Sequence, residues 1–553
     1  MLPHSKRNVV VSGSGRMLVR AKPKPRSRLL KHISQPPSTP NRVATSHKTL
    51  PPEVLIQVFE HAVEADIATN SHLIRITHVC RYWRDLAVHS PALWTDIALR
   101  HPVAVKAFLA RSKGLPLRIC IDMNTTFFSA ITKETLTQTL QTLLAQSRRT
   151  LTLKIDHMPP FGFDWVMKGI AGAAPQLEML VIKRRLPVFV VVPEARPRPV
   201  VDGMPKLRSL TISGSALHWL PKAPNSLTEI ELNNTLCDIH TMLDLLQRCS
   251  ASLERLTIRG VFNTPPQRDT RRITLARLKT LQIHSGSVRG LAALLPSLVL
   301  PSEHTTMSFS CPQNIPVSSS HPRLRPYGGT FADLASALSA RVHLPFAALR
   351  NLKRIELRWN RHKVQTLRAY LNSDLDDPAA PALQVAAYAS HTPRTPAGAR
   401  FIFNWPLDAR HVETLDIYGT SADLHFPWNQ PRRAPWGLML RAVSRLRTLR
   451  IRAMKEEDLH ALLCALYTLP VDLWQNVCPR LETLIFAEMA LGEKSWDALV
   501  RLVHTNRTYL QKIVVELPKM DPAICDGWAA IQIRRSDYVQ LVFTESTESL
   551  LGL

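Results

Sequence analysis

Residues 204–232 read MPKLRSLTISGSALHWLPKAPNSLTEIEL, and one short phrase occurs in them twice. It consists of an aliphatic residue, two polar ones, an aliphatic, one polar and an aliphatic: Leu207/Leu210/Ile212, then Leu227/Ile230/Leu232. Working outward from this stretch, the phrase returns as Leu177/Leu180/Ile182, Leu253/Leu256/Ile258 and Leu278/Leu281/Ile283. It continues as Leu352/Ile355/Leu357, Val412/Leu415/Ile417, Leu446/Leu449/Ile451, Leu481/Leu484/Phe486 and Leu510/Ile513/Val515. In each copy the last two members alternate with polar residues, which is the period of a strand with one buried face. Helical pattern fills gaps between copies. Ile239, Met242, Leu243 and Leu246 recur at helical spacing, as do Trp496, Leu499, Val500 and Val503. The stretch Thr330-Phe331-Ala332-Asp333 reads as a helix start ahead of Leu334 and Leu338. Consecutive strands joined by helices must lie parallel and adjacent, so the expected class is α/β, with the strands curving into a horseshoe-like array.

The outward positions of those strands form two rows. One holds Thr211, Glu231, Thr257, Gln282, Glu356, Asp416 and Arg450; the other holds Arg259, His284, Arg358, Tyr418 and Arg452. A mixed surface of this kind suits a folded protein ligand. Its arginines Arg259, Arg358, Arg450 and Arg452 are candidate substrate contacts, because guanidinium forks match phosphate or carboxylate oxygens. Against this stands the ordinary fate of an arginine on an exposed strand, which is simply to be solvated.

At 553 residues, with 45% hydrophobic and 20% charged residues, the chain can bury a sizeable core. No run approaches the roughly eighteen apolar residues that cross a bilayer. The eight cysteines form no C-x-x-C pair and the 21 histidines show no paired metal spacing, so neither a structural zinc nor a disulfide framework is expected. Two long intervals, from Ile283 to Leu352 and from Leu357 to Val412, hide degenerate copies or hold loops. The Pro-, Ser- and His-rich composition near 301–328 and 376–400 points to loop insertions there.

The net charge of +27 is unevenly placed: residues 1–48 hold eleven Lys and Arg and no acid. With Lys22-Pro23-Lys24-Pro25-Arg26 and the prolines that follow, this segment reads as a disordered basic tail. It could serve as a nuclear import signal or a transit peptide, or touch nucleic acid. Val9-Val10-Val11 and Gly13-x-Gly15 lack the third glycine of a dinucleotide loop, because Leu18 stands in its place.

Between tail and repeats lies LPPEVLIQVFEHAV, residues 50–63, followed by HVCRYWRDLAVHSPALWTDIAL, residues 78–99. Pro51 and Pro52 suit a helix start and Glu53 complements the helix dipole. Leu55, Val58, Phe59 and Ala62 then share one face, and a second helix carries Ile76, Val79, Cys80 and Trp83. Pro91 begins a short turn that places Leu93 and Trp94. About fifty residues in three short helices cannot bury all this apolar surface among themselves. The order Leu-Pro…Phe…Val-Cys-Arg-x-Trp-Arg…Leu-Trp resembles an F-box, the module by which a substrate receptor docks on the Skp-type adaptor of a cullin ubiquitin ligase.

By that resemblance Leu50, Pro51, Leu55, Phe59, Val79, Cys80 and Trp83 would face the adaptor, while Leu86, Leu93 and Trp94 would brace the helices and touch it in part. The repeat body likewise resembles leucine-rich repeats of the irregular kind found behind fungal F-boxes. Only Asn360 stands where the regular consensus has its bridging asparagine. The expected organisation is therefore a tail at 1–48, an F-box-like helical domain at 49–99 and an irregular leucine-rich-repeat solenoid at 100–553. The implied role is substrate recognition in a Skp–cullin–F-box ligase. Its partners would be the adaptor, the cullin scaffold and an unidentified protein target, in the cytoplasm or nucleus, with no membrane partner. No G-x-S-x-G, H-E-x-x-H or G-x-x-x-x-G-K-[ST] occurs, so no catalytic residue, cofactor or metal is expected. The alternative reading is a basic nucleic-acid-binding or scaffold repeat protein without ligase association, whose binding would be salt-sensitive and would depend on the tail.

Overall fold

The computed structural model describes residues 50–64, 70–99, 102–122, 133–158, 170, 174–184, 204–213, 224–237, 239–262, 271–285, 291, 294–302, 304–311, 349, 351–359, 364–375, 380–388, 409–419, 433–467, 477–489, 491–504, 510–517 and 540–545. The readings of the basic tail, of the Gly13-x-Gly15 stretch, of Thr330–Asp333 and of Asn360 lie outside them. The chain divides into two compact units, 1–55 and 56–553, the division falling inside the first helix. In the first unit the helix opens at Pro52, and Val54 N and Leu55 N donate to Pro51 O at 3.1 and 3.2 Å.

That helix, α1 (Pro52–Glu64), is followed in the second unit by α2 (Ser71–Val79) and α3 (Arg81–His89). The sequence reading of one helix through Ile76, Val79, Cys80 and Trp83 is corrected here. Cys80 is extended, with φ −156° and ψ 170°, and its Sγ accepts a hydrogen bond from Trp83 N at 3.4 Å. The thiol thus caps a new helix instead of continuing the old one. Arg84 Nε donates to Thr77 O at 2.8 Å and ties the two together. A single 3-10 turn, Pro91–Trp94, closes this stretch, and Trp94 Nε1 donates to Ala87 O at 2.7 Å.

The chain then enters a 17-stranded sheet. Its first strands are β1 (Asp96–Ala98), β2 (Leu117–Asp122), β3 (Thr150–Met158), β4 (Met179–Arg184), β5 (Ser209–Ser213), β6 (Glu229–Cys237) and β7 (Arg255–Phe262). The short β8 (Ile273–Thr274) and β10 (Leu298–Val299) pair with each other, apart from the main sheet. The main sheet continues through β9 (Thr280–Ser285), β11 (Thr306–Cys311), β12 (Arg354–Trp359), β13 (Val364–Tyr370) and β14 (Leu383–Tyr388). It ends with β15 (Thr414–Gly419), β16 (Thr448–Arg452), β17 (Thr483–Ala487), β18 (Lys512–Leu517) and β19 (Gln540–Glu545). Helices α4 (Pro102–Arg111), α5 (Lys133–Leu144) and α6 (Ile239–Cys249) lie along its first half. Helices α7 (Arg433–Ala442), α8 (Glu456–Tyr467) and α9 (Glu493–His504) connect strands of the second.

Each of the ten phrases sits on its own strand, and every member of the ten triples is buried. Register explains the spacing of the phrase. Leu180 pairs with Leu210, Leu210 with Ile230, Ile230 with Leu256 and Leu256 with Leu281, while Ile182, Ile212, Leu232, Ile258 and Ile283 form a second ladder beside the first. The same two ladders run through Leu415, Leu449, Leu484 and Ile513 and through Ile417, Ile451, Phe486 and Val515. Hydroxyls bridge successive phrases. Ser226 Oγ, Ser252 Oγ and Thr305 Oγ1 each donate to the carbonyl that opens an earlier phrase, Leu207 O, Leu227 O and Leu278 O, all at 2.7 Å. Backbone carbonyls between rungs are thereby satisfied without a bridging amide.

Three sequence expectations change. The stretches near 301–328 and 376–400, read as loop insertions, contain β11 and β14. Met307 and Phe309 of β11 continue the ladders from Leu281 and Ile283, and Leu383 and Val385 follow them in turn. The sheet also begins before residue 100, because β1 pairs in parallel with β2, and Arg118 Nη2 donates to the buried Asp96 Oδ2 at 2.6 Å. Finally, the order is not simply sequential. The chain runs from β11 to β12, but the strand beside β11 is β14, and β13 lies antiparallel between β14 and β12. The array then resumes in parallel at β15. Pairings in the main sheet are otherwise parallel among the described residues. In α9, Ala498, Leu499, Leu502 and Val503 are buried, whereas Trp496 and Val500 are half-buried.

Candidate functional site

Two surfaces stand apart. The first lies in α1 to α3. Leu55 and Phe59, expected on a free face, are buried at 2% and 1% exposure, and Phe59 packs against the half-buried Trp83 with ring centroids 5.0 Å apart. The reason is geometric: positions 55, 59 and 63 turn inward, and of the positions one before them 54 and 58 are exposed and 62 is half-buried. Val54 and Val58, one helical turn apart, are the exposed apolar residues of α1. Leu50 and Pro51 are also exposed.

In α2 and α3 the exposed apolar residues are Ile74, Val79 at 59% and Tyr82; Cys80 and Leu86 are half-buried. Leu93 and Trp94 are buried, and Trp94 meets Phe108 edge-on at 4.8 Å with the Arg111 guanidinium 4.3 Å above its ring. Trp94 is therefore a core anchor. Among the described residues, six of the eight exposed large hydrophobics lie between Leu50 and Tyr82. The sequence reading missed Val54, Ile74 and Tyr82, although the i, i+4 relation of Val54 to Val58 was visible.

The second surface is the polar side of the sheet from β13 to β18. Three of the four candidate arginines gather there, and the fourth does not. Arg259 on β7 is 52% exposed and 4.0 Å from Glu231. It stands five strands from Arg358 on β12, about 24 Å at the usual strand spacing. Arg358 Nε bonds Glu356 Oε1, and the same oxygen lies 3.5 Å from Arg368 Nη1. Tyr370 Oη donates to the other Glu356 oxygen at 3.0 Å, and the Arg354 guanidinium stacks 3.8 Å over the Tyr370 ring.

Farther along, Arg452 Nη2 donates to Asp416 Oδ2 at 2.8 Å, and Arg450 Nη2 to Glu516 Oε2 at 2.8 Å. Burial pushes the Asp416 carboxyl above the ordinary carboxylate range, although Arg452 and Arg450 pull the other way. Burial likewise raises the Tyr370 phenol, helped by Glu356, and the Tyr418 phenol, helped by the exposed Glu488 to which it bonds. His284 bonds Ser310 across β9 and β11; burial and then Arg259 hold its imidazole below the usual range. Arg368 and Tyr370 were missed in the sequence, because β13 runs antiparallel outside the repeating phrase; Arg354 was missed because it precedes the two outward positions read on β12.

Among the described residues no group of three or more His, Cys, Asp or Glu side chains could hold a metal, and no helix is long and apolar enough to cross a membrane. Residues 47–100 match the family model described as F-box-like, so the chain carries an F-box-like domain over the stretch that contains α1 to α3. No curated protein matches the chain.

Proposed function

We propose that the chain is the substrate-recognition subunit of a ubiquitin ligase of the Skp–cullin–F-box type, acting in the cytoplasm or nucleus. Residues 49–99 would bind the adaptor, and the sheet would hold a protein target. The carrying observation is the concentration of exposed apolar side chains between Leu50 and Tyr82, inside the stretch that matches the F-box-like model. Solvent-facing valines and isoleucine at that density fit an apolar partner face. We read the sheet as an irregular leucine-rich-repeat array, since its strands repeat one buried phrase in register. The contribution of such a chain is proximity: it raises the effective concentration of target lysines near a charged conjugating enzyme and supplies no nucleophile, base or cofactor itself.

The test is affinity purification of the tagged chain from cells, with detection of a Skp-type adaptor and a cullin. Copurification of both is expected. Val58→Asp and Val79→Asp place charges at exposed positions, and each should lose the adaptor with an unchanged circular dichroism spectrum and melting temperature. Leu371→Asp, at an exposed apolar site just past the end of β13, should retain it. Folded Val58 and Val79 variants that bind the adaptor as well as wild type would refute the reading.

A further inference from the structure

We propose that the exposed edges of Arg358 and Arg368 form the docking point for an acidic segment of the target protein, whose carboxylate or phosphate oxygens the two guanidiniums share. This rests on the reading of the sheet as the target-holding surface. The charge count points to it. Arg354, Arg358, Arg368, Arg450 and Arg452 occupy one side of β12, β13 and β16, against Glu356, Asp416 and Glu516, with Glu488 at the exposed rim. Asp416 and Glu516 are taken by Arg452 and Arg450. That leaves Glu356, where Arg358 and Arg368 crowd onto a single oxygen. One carboxylate cannot neutralise two guanidiniums, and these are the two most accessible arginines of the five, with side chains 45% and 34% exposed.

Folding does not require this arrangement. Corresponding outward positions from β5 to β11 are Thr211, Glu231, Thr257, Gln282 and Ser308, with one charge among five, and covered charges rarely stabilise a fold more than neutral residues would. The cluster also coincides with the one place where β12, β13 and β14 break the parallel order. An arginine fork prefers a planar or tetrahedral oxyanion, and an extended acidic segment offers one on every second residue.

The experiment uses the purified full chain and three fluorescent twelve-residue peptides on one Gly/Ser scaffold, carrying four Glu, four phosphoserines or four Ser. Anisotropy should show binding of at least one anionic peptide and none of the Ser peptide. Binding of phosphoserine alone assigns phosphate; binding of both shows that carboxylates suffice. Arg358→Gln and Arg368→Gln should each weaken binding about tenfold, the scale of one charge-assisted contact. Arg358→Lys should recover only part of it, and Arg255→Gln should change nothing. Should Arg368→Gln fail to fold, the exposed Arg358 variants carry the test alone. Equal binding by wild type and Arg358→Gln, as the basic tail would give, overturns the proposal. So does absence of binding, or displacement of the peptide only by an oligonucleotide or anionic vesicles. Adaptor copurification read on the same samples separates the two readings: adaptor present without peptide binding sinks this one alone, and the reverse sinks the ligase assignment alone.

Discussion

Two ion pairs, one in each half of the sheet, use the same cross-strand chemistry at opposite depths. On β6 and β7 Glu229 stands opposite Arg255, with Arg255 Nη1 donating to Glu229 Oε1 at 2.6 Å, and the side chains are 41% and 60% exposed. On β15 and β16 Arg452 meets Asp416 at 2.8 Å with the two side chains 14% and 7% exposed. A pair in water exchanges one solvated state for another. A covered pair must replace hydration with its own contacts, so removing one partner strands the other. The apolar ladders beneath are alike in both halves; what differs is what the polar side is made to cover. The comparison teaches that a repeat which specifies the core says little about the face that would meet a partner.

The sharpest way to break the comparison is Arg452→Ala. It leaves Asp416 covered beside an unfilled space, and the expected loss is about 3–5 kcal/mol, read as a lower urea midpoint. The pH dependence has a definite sign. Asp416 has a raised carboxyl in the folded chain, so its contribution is fully present below the unfolded carboxylate value and is lost as pH rises through the folded one. Removing the arginine raises that folded value further and widens the window. The deficit of the variant should therefore be smallest in acid and grow toward neutrality. A flat, small deficit would mean that the pair behaves like its exposed counterpart.

A second test asks whether a half-buried carboxylate of the C-terminal half behaves alike. Glu456, at the start of α8, accepts from Gly492 N at 2.9 Å and from Ser495 N at 2.8 Å, so it caps the start of α9 from a neighbouring helix. A Cβ at residue 492 would come 2.5 Å from the Glu456 carboxyl carbon. Gly492→Ala must push that carboxylate off its two donors, at an expected cost of about 1–2 kcal/mol. Because both changes remove one interaction, Glu456→Ala/Gly492→Ala should cost little more than either alone, as a double-mutant cycle in urea would show.

Much of this fold was legible in the sequence because burial was periodic. Two aliphatics alternating with polar residues after a leading leucine located ten strands, and the in-register ladders follow from that regularity. What stayed hidden lacked the leading leucine. Strand β11 begins its phrase at His304, and β13 turns Leu367 and Ala369 to the core among its described side chains, a pattern too weak to separate from a loop. Strand order at β12 to β14 was illegible for a related reason: the phrase records which side is buried, not which neighbour is beside it. The candidate site was read in part. The Leu-Pro start, Phe59 and Trp83 marked the F-box-like helices, but the apolar stripe alone could not say which side was core. The cap at Cys80, which sets the start of α3, depends on a thiol geometry that the sequence does not announce.

The smallest expected effect belongs to the exposed pair and fixes the other end of the comparison. Arg255→Ala and Glu229→Ala should each change stability by less than about 1 kcal/mol, and their double-mutant cycle should return a coupling of about 0.2–1 kcal/mol. Raising the salt shortens the screening length to a few ångströms, so the coupling should shrink further at molar ionic strength. For Arg452 and Asp416 the same cycle should give a larger coupling that salt barely alters, because little solvent reaches either side chain. If both couplings proved small and equally sensitive to salt, burial would not be what distinguishes the two faces. The arginine-rich side of β12 to β16 would then be an ordinary solvated surface.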